Sequence, residues 1–330
     1  MARETRLDEI ARDLVGRATL KAKSLIVTVF GDALVPHGGT VWLGSLIALM
    51  APFGLNERLV RTAVLRLSRE GWLASRPIGR RSYYGLTEIG RHRFDDAHRR
   101  IYAAPRGHWG GRWHIVFTGL ATLTGSERAR LKRELAWQGF GALSPNLFVH
   151  PSADPEALRR ALRNRGAADH VVVMRAASNA LTTERALHEF VRSAWDLEAL
   201  ARQYRSFLDR FEPVWRALQR VAEDRPPLRK DGALDPAACF LIRVLLIHEY
   251  RRVLLRDPQL PEELLPSGWA GAAARLLCRN IYRRAAHPAE RHLMATLETA
   301  EGPLPEAAPY FYRRFGGLAP VRVTRDAAAE

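Results

Sequence analysis

The stretch GLNERLVRTAVLRLSREGW, residues 54–72, is dense in guanidinium groups. From Arg58 to Arg81 there are seven arginines against a single acid, Glu70. At about 100° per residue, Val60, Ala63, Val64 and Leu67 cluster on one helix face, while Arg58, Thr62, Leu65 and Arg69 lie opposite, flanked by Arg61 and Arg66. Such a face has a definite chemistry. An arginine fork grips guanine O6 and N7 bidentately, and a threonine or leucine touches a thymine methyl. Arg80 and Arg81, further along, suit phosphates or a narrow minor groove. Asn56, Arg58, Arg61, Thr62, Leu65, Arg66, Arg69, Arg80 and Arg81 are therefore the candidate contacts to a duplex. The alternative, a solvated basic face beside an unrelated hairpin, leaves the clustering to accident.

The elements that must position these residues can be read from period and punctuation. SLIVTVFGDAL predicts a helix ending near Gly31, and Thr40 is placed to cap a second, VWLGSLIALM. Pro52 and Gly54 supply a turn, Asn56 caps the basic helix, and Gly71 follows its end. The period then changes to two: WLASRP and SYYGLT are short strands joined by IGRR, and Thr87 caps EIGRHRFDDAHRRIY. Helix, helix, turn, helix, hairpin, helix is the order of a winged helix-turn-helix, which presents its third helix and its hairpin tip to DNA.

Composition shifts at AAPRGHWGG, 103–111, and near MRAASNALTTE, 174–184, so three domains are expected, over 1–105, 106–178 and 179–330. In the second, RWHIVFTGL is a strand with Trp113, Ile115 and Phe117 on one face, followed by a helix capped by Ser126. FGALS and NLFVHP are strands, DPEALRRALRNRG a helix ending in Gly166, and DHVVVMR a buried strand. This βαββαβ order is the ferredoxin-like plait, a unit that often pairs with a second copy. The third is all-α. Leu197, Leu200, Tyr204, Phe207, Phe211, Val214, Leu218 and Val221 form a packing seam that Pro213 should kink or split. RPPLRKDGALDP is a loop, PAACFLIRVLLIHEYRRVLL a buried helix, and AGAAARLLCRNIYRRAA a further helix. The fold class is α+β and multidomain.

The 330 residues carry 51 Lys+Arg against 35 Asp+Glu, a formal charge of +16, which suits an acidic partner. Nearly all of it is arginine, so genome composition explains part of the excess, and the placement of the arginines matters more than their sum. Cys239 and Cys278 form no paired framework and read as core residues of a reduced, cytoplasmic protein. The first residues lack the apolar stretch of a signal peptide, and no apolar run reaches the roughly 18 residues of a membrane span. No G-x-S-x-G, G-x-x-x-x-G-K-[ST] or G-x-G-x-x-G signature occurs. HEYRR, 248–252, begins like a zinc-protease motif, but Arg252 stands where a second histidine is required. No catalytic residue, metal or cofactor is expected.

With these segments in place, the chain resembles the phenylacetic acid degradation repressor family, PaaX-type, through GLNERLVRTAVLRLSREGWL, GRRSYYGLT, WHIVFTG and HEYRRVLLRDPQLPEELLPSGWAG. The match in order and spacing covers nearly the whole chain. The resemblance implies a transcriptional repressor that binds double-stranded operator DNA as a homodimer and is released by an acyl-CoA effector, phenylacetyl-CoA or similar. A site for such a thioester combines basic groups with an apolar slot. Its local candidates are His248, Arg251, Arg252 and Trp269, the alternative being that Arg251 or Arg252 braces the following turn through Asp257 and Trp269 is core. PRGHWGG is the expected pivot between domains. Two other readings stay open: an enzyme acting on acyl-CoA or RNA with a winged-helix appendage, and a ligand-independent DNA binder.

Overall fold

The structure is a computed structural model that describes residues 2–103, 108–118, 124–164, 166–179, 181–223 and 234–318. The chain folds as two compact units: one comprises 1–104, 207–251 and 275–330, the other 105–206 and 252–274. The helical tail contributes residues to both. The loop expected at 225–236 lies outside the described residues as far as 233, as do residues 105–107 of the expected pivot.

The first unit begins with α1 (Ala2–Arg17), which lies ahead of the predicted helices. Helix α2 (Ala22–Val29) does not stop at Gly31. It widens into a π-helical turn over Phe30–Leu34, and Gly38, at φ +90°, ends the run. Gly31 is kept bare for packing, since a Cβ there would lie 2.8 Å from the Phe94 ring. Strand β1 (Val41–Trp42) precedes α3 (Leu43–Met50). Thr40 is therefore not the cap expected of it: Val41 and Trp42 are drawn into pairing with Tyr84 and Tyr83, and the helix starts two residues later with no side-chain cap. Then come α4 (Glu57–Arg69), β2 (Leu73–Ile78), β3 (Arg81–Leu86) and α5 (Glu88–Tyr102). The sheet order is β1-β3-β2, antiparallel.

In the second unit, β4 (Arg112–Phe117), α6 (Gly125–Trp137), β5 (Gly141–Ser144), β6 (Leu147–His150), α7 (Pro155–Asn164) and β7 (Val172–Ala177) follow the expected βαββαβ order. Their sheet runs β5-β6-β4-β7 with antiparallel neighbours. Val116 and Phe148 pack with Leu131, Leu135, Leu158 and Leu162 on one face. The residues next to them, such as Trp113 and Val149, point the other way, toward Val191, Leu197, Leu260 and Leu264. Two expectations fail here. Thr124, not Ser126, caps α6, because Glu127 closes a reciprocal capping box with it. Strand β7 is not buried: as the edge strand it lies beyond both packed layers, and Val172, Val173 and Met174 are 38, 44 and 46% exposed.

Helices α8 (Glu184–Ala194), α9 (Leu197–Glu223), α10 (Pro236–Leu254) and α11 (Ala270–Thr296) make up the remainder, with a short hairpin of β8 (Glu298–Thr299) and β9 (Gly302–Pro303). Pro213 does not split the helix: α9 runs through it. A proline costs a helix interior about 3 kcal/mol; here Phe211 and Val214, both buried beside it, supply packing against that cost. Both cysteines are buried and unpaired, as expected. Among the described residues no helix is long and apolar enough to cross a membrane.

The first unit is organised around buried charge. Asp32, in the π-helical turn, accepts from Arg243 Nε on α10 at 2.7 Å, from Tyr102 and Tyr282 hydroxyls at 2.6 and 2.9 Å, and from Arg314 at 3.2 Å. The wide turn also leaves the Asp32 carbonyl to accept from both guanidiniums, at 3.0 and 2.8 Å. Glu290 on α11 takes a second Arg243 nitrogen and lies 2.9 Å from His37 Nε2. Burial alone would raise the Glu290 carboxyl, but Arg243 and His37 outweigh it and hold its pKa down to about 2. His98, beside Arg314, is lowered to about 4 by burial and then by that guanidinium.

Replacing Arg243 by Met removes the guanidinium that two buried carboxylates, Asp32 and Glu290, share, and urea unfolding should show a loss of about 3–5 kcal/mol. Both pKa shifts are depressions, so each contributes stability that is lost on acidification: His98 between pH 6.5 and about 4, Glu290 between 4.5 and about 2. Melting temperature should therefore fall with pH across the first window in the native chain and stay flatter there in His98→Asn.

Candidate nucleic-acid interface

Helix α4 is fixed at both ends by local chemistry. The 3₁₀ turn Ala51–Phe53 buries Phe53, and Gly54, at φ +76°, redirects the chain. Asn56 Oδ1 accepts the Leu59 amide at 3.0 Å, the predicted cap. At the far end Gly71, at φ +72°, donates to the Ser68 carbonyl, and Trp72 donates to that of Leu67, closing a Schellman motif. Thr87 caps α5 as predicted and donates to the Gly71 carbonyl at 2.5 Å, tying the end of α4 to the start of α5. Gly90 lets that helix pass, since a Cβ would sit 2.3 Å from the Trp72 carbonyl oxygen.

The face so held divides as its periodicity requires. Val60, Ala63, Val64 and Leu67 are buried, and Arg58, Arg61, Thr62, Leu65, Arg66 and Arg69 are all exposed. Leu65 is 49% exposed, an apolar side chain with no covering element among the described residues. Arg61 donates to Glu57 at 2.7 Å, an exposed pair of the kind worth under about 1 kcal/mol. Thr62 Oγ1 bonds back to the Arg58 carbonyl at 2.8 Å, and the residue is exposed. Arg58, Arg66, Arg69 and Arg80 have no ion-pair partner among the described residues, and Glu70, the one acid of the stretch, is matched by Lys23.

Strands β2 and β3 pair down to Ile78 and Arg81, so Gly79 and Arg80 form a two-residue tip, with Gly79 at φ +57°. Arg81 is anchored. Its guanidinium lies 4.3 Å over the Trp42 ring and donates to Glu298 of β8 at 3.0 Å. Trp42 and Glu298 lie 39 residues before and 217 after Arg81, and no local pattern connects them to it.

The residues read as ligand candidates fall on either side of the division between the units. His248 and Arg251 belong to the first unit, Arg252 and Trp269 to the second. His248 is buried with Nδ1 2.9 Å from Thr28 Oγ1, and Arg251 donates to Thr28 Oγ1 and to Ser24 at 2.7–2.8 Å, so both brace α10 against α2. Trp269 lies edge to face with Tyr204. Among the described residues no group of His, Cys, Asp and Glu could hold a metal ion.

Comparison with known proteins gives the class and then the family. Three family models cover the chain in order: PaaX-like protein at 21–90, PaaX protein central Cas2-like domain at 106–188, and PaaX-like protein C-terminal domain at 195–295. The transcriptional repressor PaaX of Escherichia coli (strain K12) is 40% identical over 314 residues, 95% of this chain and 96% of that protein. A solved structure, the uncharacterized protein Rv0674 from Mycobacterium tuberculosis, is 25% identical, with a TM-score of 0.47, over 82% of this chain and 99% of that one. The class is that of a non-enzymatic regulator. The chain belongs to the PaaX family.

Because the Asn56 side chain already serves the helix, Asn56→Ala should cost about 1 kcal/mol of unfolding free energy, whereas Asn56→Asp or Ser retains most of it. Chemical denaturation of the three variants measures this.

Proposed function

We propose that this PaaX-family chain is a repressor that binds operator DNA through a winged helix-turn-helix, with α4 as the recognition helix and the β2–β3 hairpin as the wing. The observation that carries the reading is the two-sided character of α4: every apolar position of its inner stripe is buried, while its exposed face carries four arginines, Thr62 and Leu65. A helix entering the major groove needs this division, one side seated in its own domain and the other free to meet base edges. Arg58, Arg61, Thr62, Leu65, Arg66 and Arg69 then read or approach bases, and Arg80 meets the flanking backbone. Arg81, held on Trp42, sets the angle of the wing.

In this reading residues 1–105 bind DNA, and the ferredoxin-like segment 106–178 and the helical segment 179–330 together hold two copies. Two paired copies read half-sites about one duplex turn apart or a multiple of it. The signal is an aryl-acyl-CoA, phenylacetyl-CoA by the family resemblance, and the controlled genes are those of phenylacetate breakdown in the cytoplasm. Release follows if the thioester binds more tightly to a conformation that mismatches the operator, because only differential affinity moves such an equilibrium.

Gel shift on the chain's own upstream region, with and without acyl-CoA thioesters, tests the whole scheme. With roughly six to ten phosphates neutralised, affinity should drop about 10³- to 10⁵-fold between 50 and 200 mM salt, and a titration indifferent to salt rules the mode out. Arg58→Ala should weaken operator binding more than random-duplex binding, by about 1–3 kcal/mol at a specified base, whereas Arg80→Ala should weaken both alike.

A further inference from the structure

A cavity of about 580 Å³ opens in the second unit among the end of α8, the start of α9 and residues 266–270 leading into α11. That volume falls in the range of small-molecule sites, roughly 300–1,000 Å³. Its lining pairs two arginines, Arg192 and Arg205, with two indoles, Trp195 and Trp269.

The aromatic walls are held by the fold. Trp195 Nε1 donates to the Gly139 carbonyl at 2.9 Å. Trp269 stands edge to face on Tyr204, whose buried hydroxyl donates to Asp257 at 2.5 Å. Some arginines of the same helices are paired and others, such as Arg202 and Arg220, have no ion pair among the described residues. Arg185, Arg210 and Arg216 each have a glutamate partner, whereas Arg192 and Arg205 have no ion pair among the described residues. Of the acids on the lining, Asp196 is occupied, its Oδ1 accepting the Ala199 amide at 2.8 Å, and Glu198 stands exposed. The first turn of α11 begins at the cavity and contains no acid, so its orphan amides add positive potential there. Fixed flat apolar walls and guanidiniums without an ion pair in one lining suit a molecule that carries both a flat apolar group and negative charge.

We propose that this cavity is the effector site, and that it takes an anionic amphiphile: a phosphate or carboxylate held by Arg192 and Arg205, with a flat apolar group laid against Trp195 and Trp269. The inference rests on the effector reading above and deepens it, moving the ligand away from the His248 and Arg251 neighbourhood, where those side chains bond to α2. An aryl-acyl-CoA has both halves of the required chemistry.

Isothermal titration of the full chain against phenylacetyl-CoA, free CoA, phenylacetate and inorganic phosphate tests this, with R192Q/R205Q and W269L as variants. The thioester should bind the native chain more tightly than any of the three fragments. The double arginine variant should weaken it at least about tenfold, with its melting temperature and ligand-free operator binding unchanged. W269L should weaken it comparably while leaving free phosphate unaffected. Equal thioester binding by the native chain and R192Q/R205Q overturns the placement and leaves the effector reading intact. Failure of the native chain to bind any thioester, while it still binds operator, overturns both. Phosphate binding as tight as that of the thioester overturns the amphiphile.

Discussion

The first unit depends on two arginines buried without access to water. Arg243 and Arg314 are both essentially unexposed, and a bare guanidinium in that position would be prohibitive. The network makes it tolerable by saturation. Asp32 alone receives donors from Arg243, Arg314, Tyr102 and Tyr282, and Glu290 is shared between Arg243 and His37. Replacing such an assembly with apolar side chains is often neutral for stability, so what the charges add is uniqueness of arrangement. The acceptors of the two guanidiniums come from separate elements, and sliding any one helix by a turn would strand a charge.

The consequence reaches the exposed face of α4. Residues 32, 102, 243, 290 and 314 come from far-separated stretches of chain, so the same network fixes the α2 turn, the end of α5 and the helices α10 and α11 in one unit. Helix α2 and α4 pack together, with Leu25, Ile26, Val60 and Val64 all buried. The orientation of α4 is then set from behind by the core and at its ends by Asn56 and the Gly71 turn. On the proposed DNA-binding reading the outer face of α4 must not rotate about the helix axis, and these constraints remove that freedom without using any residue of that face.

Local signals in the sequence were enough for what is local in the structure. The stripe of α4, its Asn56 cap, the Gly71 stop, the hairpin tip and the Thr87 cap all follow from side-chain chemistry within four or so residues, and each is found where it was expected. The misreadings share a cause. The ends of α2 and α3, the cap of α6, the continuity of α9 and the exposure of β7 were decided by partners remote in sequence or by a reciprocal bond that outcompeted a neighbour. A run such as DHVVVMR reads as buried because four apolar residues follow one another, yet burial depends on whether a helix layer reaches the edge of the sheet, and here it does not. One long-range signal could have been seen. Arg243 is a lone charge inside CFLIRVLLI, and Asp32 a lone charge inside VFGDALV; an ionisable group in an otherwise apolar stripe must find its counter-charge somewhere in the fold.

Helix α11 brings these separate demands into one piece of backbone. It starts beside Trp269, supplies Tyr282 and Glu290 to the buried network, and ends two residues before Glu298, the partner of Arg81. Its first turn carries no acidic residue, while its later turns carry groups whose bonding leaves no slack. Within the first unit, from Arg275 onward, any shift of α11 must work against the bonds that Tyr282 and Glu290 make in the buried network.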